Sequence, residues 1–181
     1  MISYSQIGQD LLVLKYLKNK TNGTYVDIGC GYPTYINNTF LLEKYYGWTG
    51  LSIDLRDHTD PIESINYGQS WSSIRPQSVR VLHDALTLDY SSLFEEKKLP
   101  NVIDFLTLDL EPPSISFECL FKIPFNKYEF NFIAFETDEY REGGPERRDR
   151  SREYLTSLGY FLVESVNKQD DFYINNRLKN I

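Results

Sequence analysis

Apolar side chains recur at helical spacing through Gln9-Asp10-Leu11-Leu12-Val13-Leu14-Lys15-Tyr16-Leu17 and give way to the polar turn Asn19-Lys20-Thr21-Asn22-Gly23. That pattern predicts an amphipathic helix inside an N-terminal segment, residues 1–22, that packs on the core. The run Thr24 to Ile28 has the length of a strand, and a loop over 29–35 follows. Helical spacing returns from about Asn38 to Tyr46, stops at Gly47, and is succeeded by a second strand over 51–54. Strand, helix and strand in this order predict a β-α-β unit.

The alternation continues. After a long irregular segment, 56–76, strands are predicted near 79–83, 103–109 and 132–137, with helices near 92–98, 116–121 and 145–158 between and after them. The nearly unbroken apolar run Phe105-Leu106-Thr107-Leu108 suits a strand buried on both faces, as in a largely parallel sheet with helices on each side. The last two strands, 160–164 and 171–174, are joined by too few residues for a crossover helix. They read as a hairpin that adds an antiparallel member. No repeat, low-complexity tract or Gly/Ser-rich linker divides residues 1–181, which read as one domain.

Composition narrows the class. With 41% hydrophobic and 25% charged residues, the 181-residue chain is neither disordered nor collagen-like. A domain of this length buries roughly 70% of its unfolded surface without disulfides or metal. Nineteen basic residues against 26 acidic ones give a net charge of -7, the wrong sign for a surface that neutralises phosphates, so nucleic acid is not an expected partner. Cys30 and Cys119 are too few for a disulfide framework, lack partners at metal-site spacing, and read as reduced thiols. No leader-like start and no membrane-spanning apolar stretch is evident, so the expected location is cytoplasmic. A homo-oligomer is left open.

In an open α/β sheet, ligands bind beyond the carboxyl ends of the strands, and the first β-α loop makes the usual nucleoside or phosphate contact. Here that loop is Asp27-Ile28-Gly29-Cys30-Gly31-Tyr32-Pro33. Gly29 and Gly31 allow close backbone approach and positive φ, although two glycines alone also make an ordinary strand-to-helix turn. Three acids, Asp27, Asp54 and Asp84, stand at successive strand ends. The second can accept from both hydroxyls of a ribose, and the third can meet an adenine amino group. The third glycine of the dinucleotide fingerprint is replaced by Pro33-Thr34, and an acid ahead of the glycines repels a pyrophosphate but attracts a sulfonium. On these grounds S-adenosyl-L-methionine is preferred to NAD.

At this point the chain resembles the FkbM-type methyltransferases, a family of class I S-adenosylmethionine-dependent enzymes. The matching segments are Ser5-Gln6-Ile7-Gly8-Gln9-Asp10, Tyr25-Val26-Asp27-Ile28-Gly29-Cys30-Gly31, Asn37-Asn38-Thr39-Phe40, Gly47-Trp48-Thr49-Gly50-Leu51-Ser52-Ile53-Asp54 and Ile103-Asp104-Phe105-Leu106-Thr107-Leu108-Asp109-Leu110-Glu111. Weaker likeness runs through Phe132-Ile133-Ala134-Phe135-Glu136-Thr137 and the final hairpin, so most of the chain is covered.

The resemblance implies a Rossmann-like class I methyltransferase fold, a mostly parallel seven-stranded sheet with helices on both faces and an antiparallel C-terminal hairpin strand. It implies that Asp27, Gly29 and Gly31 line the methionine part of the cofactor, Asp54 holds the ribose and Asp84 reaches the adenine. Cys30, Leu55, Ala85 and Asp109 belong to the same cofactor set. Asn38 and Thr39 open the first helix, either supporting the cofactor loop or simply capping. The implied activity is O-methylation of a sugar, glycan or other small-molecule hydroxyl. One departure stands out: Glu111 precedes Pro112-Pro113 where the family pattern has glycine, and prolines stiffen that loop and remove donors.

Methyl transfer from a sulfonium is an in-line displacement, so alignment in a shielded site supplies most of the catalysis, and an alcohol acceptor also needs a base. Asp109 is the first choice, with Glu111 and Glu136 as further catalytic candidates and Asp138 behind them. A divalent cation among Asp109, Glu136 and Asp138 is compatible with clustered carboxylates, but ion-paired or solvated acids explain them more simply and no metal is predicted. His58, in the irregular segment, could face an acceptor; His83, inside a predicted strand, reads as structural. Tyr4, Tyr32, Tyr35 and Trp71 are the rings nearest the proposed loops. The charged stretch 138–150 reads equally as an acceptor lid or a solvated loop.

Two other functions compete. An amino-methylase of nucleic acid would need an Asp/Asn-Pro-Pro-aromatic loop, and Glu111-Pro112-Pro113-Ser114 lacks the stacking ring. A binding module could keep the fold without the chemistry.

Overall fold

Side chains alternate across the faces of a strand, and that alternation builds the layers here. The computed structural model describes residues 2–62 and 64–179. In chain order the elements are α1 (Gln9–Tyr16), β1 (Thr24–Ile28), α2 (Phe40–Tyr46), β2 (Thr49–Asp54), α3 (Trp71–Ile74), β3 (Ser78–Leu82), α4 (Tyr90–Glu96), β4 (Val102–Leu108), α5 (Pro113–Leu120), β5 (Glu129–Glu136), α6 (Gly144–Ser157), β6 (Tyr160–Val166) and β7 (Asp170–Asn175). β1 sends Val26 and Ile28 into one core, with Leu93 and Phe94 of α4, Leu120 of α5 and Leu155 of α6. Tyr25 enters the other, with Val13 and Leu14 of α1 and Leu41 and Leu42 of α2. β4 divides the same way, Leu106 and Leu108 against Phe105.

The seven strands run β3-β2-β1-β4-β5-β7-β6. The first five pair in parallel, whereas β7 is antiparallel to both β5 and β6, as the short connection predicts. Successive crossovers leave β1 in opposite directions, toward β2 and β3 on one side and β4 and β5 on the other. The crevice at that reversal is where such sheets bind ligands. Trp48, fully buried in the α1–α2 core, shows how tightly that face is filled: a Cβ on Gly23 would meet its ring at 2.5 Å. Truncating such a ring costs about 3–5 kcal/mol.

Several element boundaries move for identifiable local reasons. α2 begins at Phe40, two residues later than the spacing predicts, with Thr39 at the N-cap position and the Asn37 side chain accepting from the N–H groups of Thr39 and Phe40. α4 begins at Tyr90, since Asp89 Oδ1 accepts from the Ser92 N–H at 3.0 Å. α5 starts at Pro113, a residue suited to a first helical turn, where no intrahelical N–H is needed. The segment expected to be irregular contains α3, and Trp71 at its start is buried. Among the described residues, no helix is long and apolar enough to cross a membrane.

Candidate active site

Two polar side chains interrupt the buried face that β1 and β4 turn toward α2. Asp27 and Thr107 stand opposite each other in the sheet and are almost fully buried. Buried polar groups need partners, and the chain entering α2 supplies them. The Thr39 hydroxyl donates to Asp27 Oδ2 at 2.7 Å, and the Asn38 amide donates to Thr107 Oγ1 at 3.2 Å. Capping falls instead to Asn37, whose Oδ1 accepts from the N–H groups of Thr39 (2.9 Å) and Phe40 (2.7 Å). Asn38 and Thr39 therefore brace the strands from behind rather than cap the helix.

Arg75 ties this region together from a position with no solvent exposure. Its guanidinium donates to Glu43 Oε2 (2.5 Å), the Pro33 carbonyl (3.1 Å), Asn37 Oδ1 (3.0 Å) and the hydroxyls of Tyr25 and Thr39 (both 3.0 Å). Only a planar fork of donors meets so many acceptors at once. Asp27 Oδ1 is left with no partner among the described residues, and burial pushes the Asp27 carboxyl up to about 6.

Past Asp27 the chain turns through Gly29 (φ 85°) and Gly31 (φ 57°). Glycine is required at position 29 on two counts: its φ is left-handed, and a Cβ there would stand 1.8 Å from the Asp109 carbonyl oxygen. The Gly31 N–H donates to Asp54 Oδ2 at 2.9 Å and the Arg56 N–H to Asp54 Oδ1 at 3.1 Å. These bonds fix the carboxylate at the end of β2 while leaving lone pairs for a ligand.

A cavity of about 540 Å³ crosses the carboxyl ends of the strands. Gly29 and Gly31 form its middle; Asp54, Leu55, Asp84 and Ala85 line the β2–β3 side; Asp109, Glu111, Glu136, Asp138 and Asp170 line the β4–β5–β7 side. Crowding so many acids changes their protonation. Burial, reinforced by the Asp109 charge, pushes Glu136 up to about 9; burial likewise raises Asp109 to about 6 and Asp170 to about 7. Around neutral pH Glu136 holds a proton while Asp109 in the same acidic wall is ionised. The Ser116 hydroxyl also donates to Glu136 Oε2 at 3.1 Å.

Ligand atoms of Glu111, Glu136 and Asp138 lie within 4.8 Å of one another, a set of hard oxygens able to hold a divalent cation. Arg141 already places a guanidinium on two of them. It bonds both Glu111 oxygens (2.7 and 2.9 Å) and, through Nε, Asp138 Oδ2 (2.8 Å). The charged stretch after β5 is thus pinned by ion pairs, Arg148 to Glu139 at 2.7 Å among them.

All three catalytic candidates line the cavity, as do Gly29, Gly31, Asp54, Leu55, Asp84 and Ala85. Asp27, Cys30, Asn38 and Thr39 do not; they form the layer beneath. Cys30 is buried against the Arg80 side chain, and burial followed by the Asp27 charge lifts its thiol well above the ordinary range. His58 lines the cavity 3.7 Å from Asp54 Oδ1, which puts it on the β2 side and not among the acids of β4 and β5. His83 sits just beyond β3 and is exposed, and Trp71 is covered by the Arg80 guanidinium at 4.2 Å. Sequence reasoning missed Asn37, Arg75 and Asp170. Asn37 carried a usable signal, an Asn three residues before the first helical residue, but lay beside two other plausible caps.

No family model matches the chain, and no curated protein matches it. Solved structures do. A Clostridium thermocellum protein provisionally named an rRNA-methylase is 13% identical with a TM-score of 0.54, the match covering 96% of this chain and 98% of that one. The O-methyltransferase NovP is 11% identical with a TM-score of 0.55, over 94% of this chain and 78% of NovP. The calicheamicin methyltransferase CalS11 is 15% identical with a TM-score of 0.58, over 92% and 77%. The chain has a Rossmann-like methyltransferase fold. Within this methyltransferase fold, the cavity lies at the strand ends where the sheet reverses, and the similar proteins are named for different methylations, one as an rRNA-methylase and another as an O-methyltransferase.

Proposed function

We propose that the chain is an S-adenosylmethionine-dependent methyltransferase that O-methylates a sugar, glycan or other small-molecule hydroxyl, the activity implied by the FkbM resemblance. One observation carries the reading. The cavity is walled by carboxylates, with Asp54 fixed at the end of β2 and an ionised Asp109 beside a protonated Glu136. Such a wall attracts a sulfonium and an ammonium, and it repels a pyrophosphate or a nucleic-acid backbone.

The residues fit this donor. Asp54 would take the ribose hydroxyls, Asp84 and Ala85 the adenine, and the glycine turn allows the backbone to approach closely. Unpaired Asp27 Oδ1 adds negative potential beneath that turn. When bound, the donor supplies an electrophilic methyl group on sulfur. Asp109 accepts the proton of the acceptor hydroxyl, and Glu136, protonated and held by Ser116, keeps a second negative charge away from Asp109.

Titration calorimetry tests the donor site directly, followed by transfer of a labelled methyl group to glycosides. One-to-one binding of S-adenosylmethionine and its demethylated product, with label appearing on a hydroxyl, is the expected result. Heat for neither compound overturns the reading, and label on DNA or RNA with none on any glycoside overturns the acceptor.

A further inference from the structure

The segment Ser5-Gln6-Ile7-Gly8-Gln9-Asp10 takes no part in the chemistry above, yet it is densely bonded. Asp10, fully buried, accepts from the Ser3 hydroxyl (2.6 Å), the Tyr4 N–H (2.8 Å), the Ser5 hydroxyl (2.9 Å) and the Leu11 N–H (2.8 Å). Burying a carboxylate is costly unless its lone pairs are met, and this segment meets them itself. Gln9, also buried, accepts from the Ile7 N–H at 3.0 Å and donates to Asp170 Oδ2 at 3.0 Å. The Tyr4 carbonyl accepts from the Asn37 N–H at 2.9 Å, tying the segment to the first β-α loop as well.

What this scaffold presents to the cavity is Gln6, the one residue of 3–10 that lines it among the described residues. No hydrogen bond is made by the Gln6 carboxamide to any described residue. Gln169, beside Asp170 in the hairpin turn, lines the same cavity, and its carboxamide is likewise unpaired among the described residues. Its backbone is fixed, the carbonyl accepting from the N–H groups of Thr137 (2.7 Å) and Asp138 (3.0 Å). Two neutral carboxamides therefore line the same cavity as the acids of β4, β5 and β7. The Gln9–Asp170 bond ties the segment that carries Gln6 to the acids of that side.

We propose that Gln6 and Gln169 determine acceptor specificity by hydrogen-bonding hydroxyls adjacent to the one that Asp109 deprotonates, so that the acceptor is a polyol of the sugar class. This rests on the methyltransferase reading above. A carboxylate only accepts hydrogen bonds, which would suffice for an amine cation. A carboxamide both donates and accepts, as a hydroxyl does, so a mixed wall of acids and amides matches neighbouring hydroxyls on one ring. A site built for such hydroxyls discriminates strongly against an acceptor that lacks them, because its polar groups are then left unpaired.

The test uses the full chain with its demethylated donor bound, and as probes methyl α-D-glucopyranoside, methyl α-D-mannopyranoside and methyl α-D-galactopyranoside, with cyclohexanol as the lone-alcohol control. Saturation-transfer NMR measures acceptor binding, labelled-methyl kinetics measure KM and kcat, and calorimetry measures donor affinity. At least one glycoside should bind and be methylated, while cyclohexanol does neither. Gln6→Ala and Gln169→Ala should each raise that glycoside's Kd and KM about tenfold, with donor Kd within about twofold of wild type. The inference is overturned if the variants bind the glycoside like wild type, if donor affinity falls instead, or if a donor-binding wild type binds none of the glycosides. A wild type that binds no donor at all removes the methyltransferase reading first, and this inference with it. Both glutamines are partly or fully solvent-facing, so unchanged melting temperatures should accompany either result.

Discussion

Asp27 and Arg75 are linked through a single hydroxyl: Thr39 donates to Asp27 Oδ2 at 2.7 Å and accepts from Arg75 at 3.0 Å. The cation thereby supports the floor of the glycine turn without touching the acid. It also neutralises Glu43, which is 4% exposed. Arg75→Leu would leave that carboxylate buried without its counter-ion, at an expected cost of about 3–5 kcal/mol in urea unfolding. Arg75→Lys should recover less than half, since one ammonium cannot span acceptors on Pro33, Asn37, Tyr25, Thr39 and Glu43. Full recovery by lysine would show that charge alone matters there.

The two loop glycines should behave differently. Gly29→Ala forces a methyl group into the Asp109 carbonyl, so a loss of about 3 kcal/mol or more and of donor binding is expected. Gly31→Ala meets nothing within 4 Å and carries only the backbone strain of its positive φ, about 1 kcal/mol. Denaturant unfolding of the two variants, side by side, measures the contrast.

Turnover should depend on pH in a bell. The rising limb, near 6, reports ionisation of Asp109, and the falling limb, near 9, reports loss of the Glu136 proton. Asp109→Asn should remove the rising limb along with most of kcat. A profile flat from pH 5 to 8 in wild type would remove Asp109 from the role of base.

Glu136 also links pH to stability. Its carboxyl lies near 9 in the fold, against 4.5 for an unperturbed glutamate, so between those values the folded chain keeps a proton that the unfolded chain releases. Stability from this group is complete below about 4.5 and declines as pH rises toward 9. Glu136→Gln removes that titration. Its melting temperature relative to wild type should climb between pH 5 and pH 9 by about 3 °C or more.

The fold was legible because its signals are local and periodic. Phe105 to Leu108 read as a doubly buried strand, and the short link before β7 demanded a hairpin. Asp54, Asp109 and Glu136 were legible because parallel strands in register bring their ends to one edge. Arg75 was not, since its partners lie 32 to 50 residues away and are chosen by packing. Asn38 and Thr39 have the chemistry of caps, but the unsatisfied polar atoms of Thr107 and Asp27 across the sheet competed for their side chains and won. Asp170 fell in the short connection ahead of the strand read at 171–174, and its place in the acidic wall depends on the β5–β7 pairing, where it stands opposite Glu136.

Because the cavity draws on residues from Gln6 to Asp170, neither half of the chain carries its whole lining. Occupancy and global unfolding are then one thermodynamic system: a ligand at a hundred times its Kd adds about 2.7 kcal/mol to the whole molecule. Melting curves recorded against a compound library would thus identify occupants of the crevice before any reaction is known, with the entire seven-stranded sheet acting as the reporter.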